Sequence, residues 1–232
     1  MKRVLAMMVI STSVCIAVSA QEKNVAPGIN DSFQNPDVER YVKMFEGESR
    51  SIFSNRHEIV RTLGLKRGMA VGDIGAGTGF FSLLFSDEVG SRGKVYAVDI
   101  AKNFIDHIEK VSRENEKTNI KGIVCDQHSV KLPENSIDVA FICDVYHHFE
   151  YPMDSLKSIH SALKPGGTMV IVDFRRIAGF STEWTLNHVR CGVGTVIDEV
   201  QESGFDFVGK IDLGMKDQYV LKFVKRAPDS TE

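Results

Sequence analysis

The 232-residue chain is poor in cysteine: there are four, and Cys15 falls within the first twenty residues. The other three, Cys125, Cys143 and Cys191, are an odd and widely spaced set, which excludes a disulfide framework. No two form a C-x-x-C pair, and the adjacent His147 and His148 lack the i, i+4 spacing of a helical metal site. Spacing therefore predicts no metal. Basic charge is also short: 28 Lys and Arg face 31 Asp and Glu, for a formal net charge of −3. No concentrated basic face is evident, which disfavours a nucleic-acid partner. Internal repeats and low-complexity tracts are absent. With 43% hydrophobic and 25% charged residues, the composition is that of one ordinary globular domain.

A long apolar run occurs at one place, the N-terminus. Met1, Lys2 and Arg3 are followed by an apolar stretch from Val4 to Val18 and by "AVSA" before Gln21, the pattern of a signal peptide over residues 1–20. "STS" interrupts the run, which is shorter than the roughly 20 residues of a spanning helix. Export to the periplasm or medium is expected, with an uncleaved membrane anchor as the alternative. Loss of Lys2 and Arg3 leaves 26 basic against 31 acidic residues, a net charge of −5, and no stable membrane span.

Residues 21–36 are polar, contain Pro and Gly, lack periodicity and read as a loose arm. Residues 37–232 read as a single domain. Helical spacing of Val38, Tyr41, Val42 and Phe45, then of Ile52, Ile59, Val60 and Leu63, predicts two short helices before the first strand. Strand and helix patterns then alternate, with strands near Ala70–Ile74, Val95–Asp99, Gly122–Asp126, Val139–Cys143 and Met169–Phe174. Helical stretches lie near Phe80–Val89, Asn103–Asn115, Met153–Leu163 and Thr195–Ser203. Continuous apolar strands separated by helices predict an α/β, Rossmann-like three-layer sandwich around a mostly parallel sheet. The runs "FDFVGKIDLG" and "QYVLKFVKR", joined by "GMKD" without a helix between them, predict a C-terminal antiparallel hairpin.

The first strand runs into "VGDIGAGTGFFS", Val71 to Ser82. Gly75, Ala76, Gly77, Thr78 and Gly79 make a turn that lets ligand atoms approach the backbone. The G-x-G-x-x-G pattern fails at Phe80, and Asp73 on the strand end repels a pyrophosphate and attracts a cation. A nicotinamide dinucleotide is therefore disfavoured. Asp99, closing "VYAVD", is placed to accept both hydrogens of a ribose diol. Asp126, closing "GIVCD", is positioned for an adenine amino group. "FICDVYHHF" brings Asp144, Tyr146, His147 and His148 to the mouth of the fourth strand, and Asp173 ends the fifth. Ligands of open α/β sheets bind outside the carboxyl ends of the strands, so these acids converge on one crevice.

These segments, with "LPENSIDVAF" and "LKPGG", resemble the class I S-adenosylmethionine-dependent methyltransferases, in particular the type 11 or UbiE-like small-molecule branch, from about Leu63 to Arg226. The resemblance implies seven strands in the order 3-2-1-4-5-7-6 and S-adenosyl-L-methionine as cofactor, released as S-adenosyl-L-homocysteine. It also implies roles for residues. The turn Gly75 to Gly79 wraps the methionine part and Asp73 meets its amino group. Asp99 holds the ribose, Ile100 packs on adenine, and Asp126 with Gln127 borders the adenine amino group. Asp144 lines the sulfonium end.

The acceptor side is less defined. His148, His147 and Tyr146 are the candidates for catalysis, and Arg50, Arg175, His188 and Arg190 for substrate contact, with Trp184 beside them and Glu48 as part of a lid. The expected reaction is in-line methyl transfer to a small molecule, in which a base is needed only where the nucleophile arrives protonated. An exported, non-catalytic binder of a nucleoside-like ligand is the alternative, because the cofactor is made in the cytosol. The absence of an "NPPY" segment after the fourth strand argues against nucleic-acid bases and protein glutamine as acceptors. Quinone-like, phenolic and amine acceptors all stay open, as do monomer and homodimer.

Overall fold

A computed structural model describes residues 22–47 and 50–227. The proposed signal peptide and Glu48 lie outside the described residues. Three helices, α1 (Val38–Phe45), α2 (Ser51–Ser54) and α3 (Arg56–Leu63), precede the sheet. The sequence reading expects two. The second breaks at Asn55, whose side-chain amide donates to the Ser51 carbonyl and ends the turn.

Strand and helix then alternate through β1 (Ala70–Ile74), α4 (Phe80–Val89), β2 (Lys94–Asp99), α5 (Lys102–Glu114), β3 (Ile120–Val124) and β4 (Ile137–Cys143). The chain continues through α6 (Pro152–Ala162), β5 (Leu163–Phe174), α7 (Glu183–His188), α8 (Val193–Glu202), β6 (Phe205–Ile211) and β7 (Gln218–Lys225). The sheet order is β3-β2-β1-β4-β5-β7-β6. The first five strands pair in parallel, while β7 runs antiparallel to both β5 and β6, as the sequence predicts. β5 begins earlier than expected, at Leu163, because "KPGG" is accommodated as an irregularity: Leu163 pairs with Ile137, and Thr168 pairs next with Val139.

Alternate residues of the apolar strands feed both faces. Val139 and Phe141 of β4 pack with Ile59 and Leu63 of α3 and with Phe81 and Phe85 of α4. Ala140 and Ile142 pack with Leu156 and Ile159 of α6 and Val200 of α8. A sheet apolar on both faces requires helices on both, and this fixes the three layers. The strand order reverses between β1 and β4, so the crevice of such a sheet opens at their carboxyl ends.

Residues 22–36 are not a loose arm. The Glu22 carboxylate accepts from the backbone N–H groups of Met153 and Asp154 at the start of α6, at 3.0 and 2.8 Å, which supplies the anionic cap that helix termini favour. Buried Glu150 accepts from the side chains of Asn24, Asn30 and Gln127. Phe33 packs on Tyr41, Phe104 and His148. Glu22, Asn24 and Asn30 are spent on hydrogen bonds to the domain, while Lys23, Asp31, Ser32, Gln34 and Asn35 stay exposed.

Candidate active site

The turn after β1 is shaped for close approach. Gly75 has φ 73°, and a Cβ there would lie 2.5 Å from Val145. Gly79 has φ 83°, and a Cβ would lie 2.7 Å from Ile108. Glycine is demanded at both by backbone conformation and by space. Phe80, standing where the dinucleotide pattern has glycine, opens α4 and stacks on Phe53 at 5.2 Å. The aromatic ring ties α4 to α2, so the motif's departure serves packing.

Three carboxylates surround this turn. Asp99 accepts from the Gly77 N–H at 2.9 Å and the Ala101 N–H at 2.9 Å, which locks it against the turn while burial raises its pKa. Asp73 is buried and accepts from the Ser82 hydroxyl at 2.6 Å. Burial, reinforced by Asp99 and opposed by that hydrogen bond, pushes its pKa up to about 7. Asp144 follows β4 with φ 52°, a strained conformation for a non-glycine residue of the kind that gathers at functional sites. One oxygen accepts from Arg50 Nη2 at 2.6 Å, and the other is buried with no partner among the described residues. Burial first, then the neighbouring Asp173, pushes its pKa up to about 7.

Acids at three strand ends, one of them with an orphaned oxygen, suit a ligand that carries positive charge and hydroxyl donors and no phosphate. S-adenosylmethionine, with its sulfonium, ammonium and ribose diol, fits that donor set. Ile100, Asp126 and Gln127 line a cavity of about 270 Å³ together with Asp31, Phe33 and Gln34 of the N-terminal segment. Asp126 lies beyond the end of β3, and its carboxylate holds its own loop by accepting from the His128 and Ser129 N–H groups and pairing with Lys131. Glu46 accepts from the Thr78 hydroxyl at 2.8 Å, while Arg50 donates to the Phe45 carbonyl and lies over the Phe45 ring. The segment after α1 thereby covers the glycine turn.

At the ends of β4 and β5 the histidines gather. Asp173 accepts from both the backbone N–H and the ring Nδ1 of His147, at 3.0 and 2.7 Å. Burial pushes the His147 pKa down, but the adjoining Asp173 carboxylate outweighs it and the net shift is upward. His148 is held far below the usual range by burial and by its two histidine neighbours, so it is a weak proton acceptor. His188 joins the pair from the end of α7, stacked on Trp184 at 4.6 Å.

Other candidate residues have polar partners within the fold. Tyr146 is fully buried, and its hydroxyl donates to Glu199 at 2.6 Å. Arg190 makes two hydrogen bonds to the same carboxylate, at 2.9 and 2.5 Å. Arg175 spends donors on the carbonyls of Gln218 and Met215. All three engage polar groups within the fold: Tyr146 has no exposed surface to offer a substrate, whereas Arg190 keeps a buried Nε without a partner among the described residues. Glu150, Glu199 and Glu22, absent from the sequence reading, organise the surroundings of the site.

The strand order and the acid-ringed glycine turn define the class I methyltransferase architecture. The family model described as "Methyltransferase domain" matches residues 65–217, and the chain belongs to this S-adenosylmethionine-dependent methyltransferase family. It is 30% identical over 118 residues to the ubiquinone/menaquinone biosynthesis C-methyltransferase UbiE of Nitrosospira multiformis, covering 51% of this chain and 48% of that one. It is 24% identical over 169 residues to the demethylmenaquinone methyltransferase of a Geobacillus species, covering 68% and 72%. The match spans about half the length of the UbiE relatives. Among solved structures, a SAM-dependent methyltransferase from Aquifex aeolicus superposes with a TM-score of 0.73 at 22% identity, over 82% of this chain and all of that one. The [4+2]-cyclase SpnF superposes with a TM-score of 0.66 at 14% identity, over 74% and 80%.

Proposed function

We propose that this protein transfers the methyl group of S-adenosylmethionine to a small-molecule acceptor at the carboxyl ends of β4 and β5. The acceptor class favoured by its UbiE relatives is an electron-rich quinol ring. The observation that carries the reading is the grouping of Asp73, Asp99 and Asp144 around the glycine turn, with Arg50 paired to Asp144 alone. When bound, the cofactor would supply an electrophilic methyl on sulfur: an acceptor lone pair or ring carbon takes it in line, the sulfur keeps the electron pair and leaves as S-adenosylhomocysteine, and a ring-carbon acceptor then gives its ring proton to water.

The chain's own residues bind, orient and exclude water. Asp73 meets the ammonium, Asp99 the ribose diol and Asp144 the sulfonium side. The Gly75–Gly79 turn admits the methionine part, and Ile100 with Gln127 and the docked 22–36 segment encloses adenine. Displacement needs alignment more than acid–base chemistry. Phe174, His147, His148 and His188 wall the acceptor side.

The reading is tested by incubating the protein and S-adenosylmethionine with a reduced naphthoquinol, a catechol and a primary amine, and following product mass. Methylation of the quinol, lost in Asp99→Ala, is expected. Methyl transfer to the amine alone would overturn the acceptor class, and no transfer to any acceptor by protein that binds the cofactor would overturn the enzymatic reading.

A further inference from the structure

We propose that His147, His148 and His188 form a binding site for a first-row divalent metal ion of the zinc class. One ring nitrogen from each lies within 4.8 Å of the other two. Nitrogens around a tetrahedral zinc ion stand roughly 3.3 Å apart, so the rings draw together by at most about 1.5 Å to close the set. The sequence reading expects no metal because neighbouring histidines lack helical ligand spacing. The third ligand comes from the end of α7, whose His188 ring meets those of His147 and His148 in the turn Tyr146–His148.

Each ring is prepared for this use. Asp173 binds Nδ1 of His147 at 2.7 Å. With the proton on Nδ1, Nε2 carries the ring's lone pair, and the carboxylate–histidine arrangement is the one that orients ligands in metal centres. Nδ1 of His148 is buried and has no hydrogen-bond partner among the described residues. A buried polar atom left unpaired is costly unless something meets it. His188 is held against Trp184 with 24° between the ring planes, and Trp184 in turn packs edge-on to Phe174. Three imidazoles match the ligand preference of zinc, copper and nickel. They leave a fourth position for water or for an oxygen or sulfur donor of a small molecule.

The proposal concerns metal binding and stands independently of the methyl acceptor. Trp184 is the chain's single tryptophan, so its fluorescence reports on the ring it stacks against. The full chain, free of tags and stripped with chelator, is titrated with Co2+ near neutral pH while Trp184 fluorescence and retained metal are measured. Quenching that saturates at one equivalent is expected, with recovery when Zn2+ displaces Co2+. His188→Phe keeps an aromatic partner for Trp184 and is expected to bind Co2+ at least a hundredfold more weakly, with an unchanged metal-free melting temperature. His148→Ala is expected to weaken binding similarly. Absence of saturable quenching and of retained metal in the wild type overturns the site, and so does undiminished one-equivalent binding in both variants.

Discussion

Among single residues, Asp73, Asp99 and Asp144 are carboxylates buried before the ligand arrives. Asp73 has a pKa of about 7 in the folded chain and an ordinary value of 3.8. From about pH 4 to pH 7 the folded state therefore keeps a proton that the unfolded state has lost, and stability contributed by Asp73 falls as pH rises through this window. Asp73→Asn should flatten that slope in denaturant titrations at several pH values and stabilise the ligand-free protein near pH 8. A slope unchanged in the variant would contradict the assignment. Cofactor binding has the opposite sign, because the ammonium prefers ionised Asp73. Affinity should rise between about pH 5.5 and 7, by at most about tenfold per pH unit from one displaced proton, and Asp73→Asn should bind more weakly with a shallower pH dependence. Tyr146 supplies a contrast. Its hydroxyl is committed to Glu199, so Tyr146→Phe should cost about 1 kcal/mol of stability and leave kcat and KM for the cofactor essentially unchanged. A large loss of kcat with intact folding would return Tyr146 to the crevice.

Among the elements, the docked segment 22–36 adds a wall beside Ile100 and Gln127, and Glu46 and Arg50 after α1 reach the glycine turn and Asp144. Glu150 holds that segment through Asn24, Asn30 and Gln127. Glu150→Ala should increase hydrogen exchange at residues 22–36 and weaken S-adenosylhomocysteine binding severalfold; unchanged exchange would show that the segment is held by other contacts. The strands and their terminal acids were legible because apolar runs ending in a carboxylate have few other uses: Asp73, Asp99 and Asp144 all border the turn. The docking of residues 22–36 was not legible, since Glu22, Asn24 and Asn30 look the same in sequence whether they meet water or a helix terminus. Arg190 reads as a free cation until Glu199 is beside it. The third histidine of the cluster was invisible to local spacing because its partners come from a different element.

Across the whole molecule, alternation and the terminal hairpin made the mostly parallel sheet legible, while the strand order β3-β2-β1-β4-β5-β7-β6 was legible only through the resemblance to the family. The histidines beside the acceptor face are what distinguish the arrangement described here from a bare cofactor cradle. Export is proposed from residues 1–20, and N-terminal sequencing of the native protein should begin at Gln21; an intact Met1 on cytosolic protein would reject it. The acid-ringed turn is proposed to hold a cationic, phosphate-free nucleoside. Calorimetry of the protein with S-adenosylmethionine, S-adenosylhomocysteine and NAD tests it most directly. Saturable one-to-one binding of the first two is expected, weakened at least tenfold in Asp99→Ala, a loss of about 1.4 kcal/mol or more, with no binding of NAD. A folded wild-type chain that ignores S-adenosylmethionine, or that prefers NAD, would contradict it.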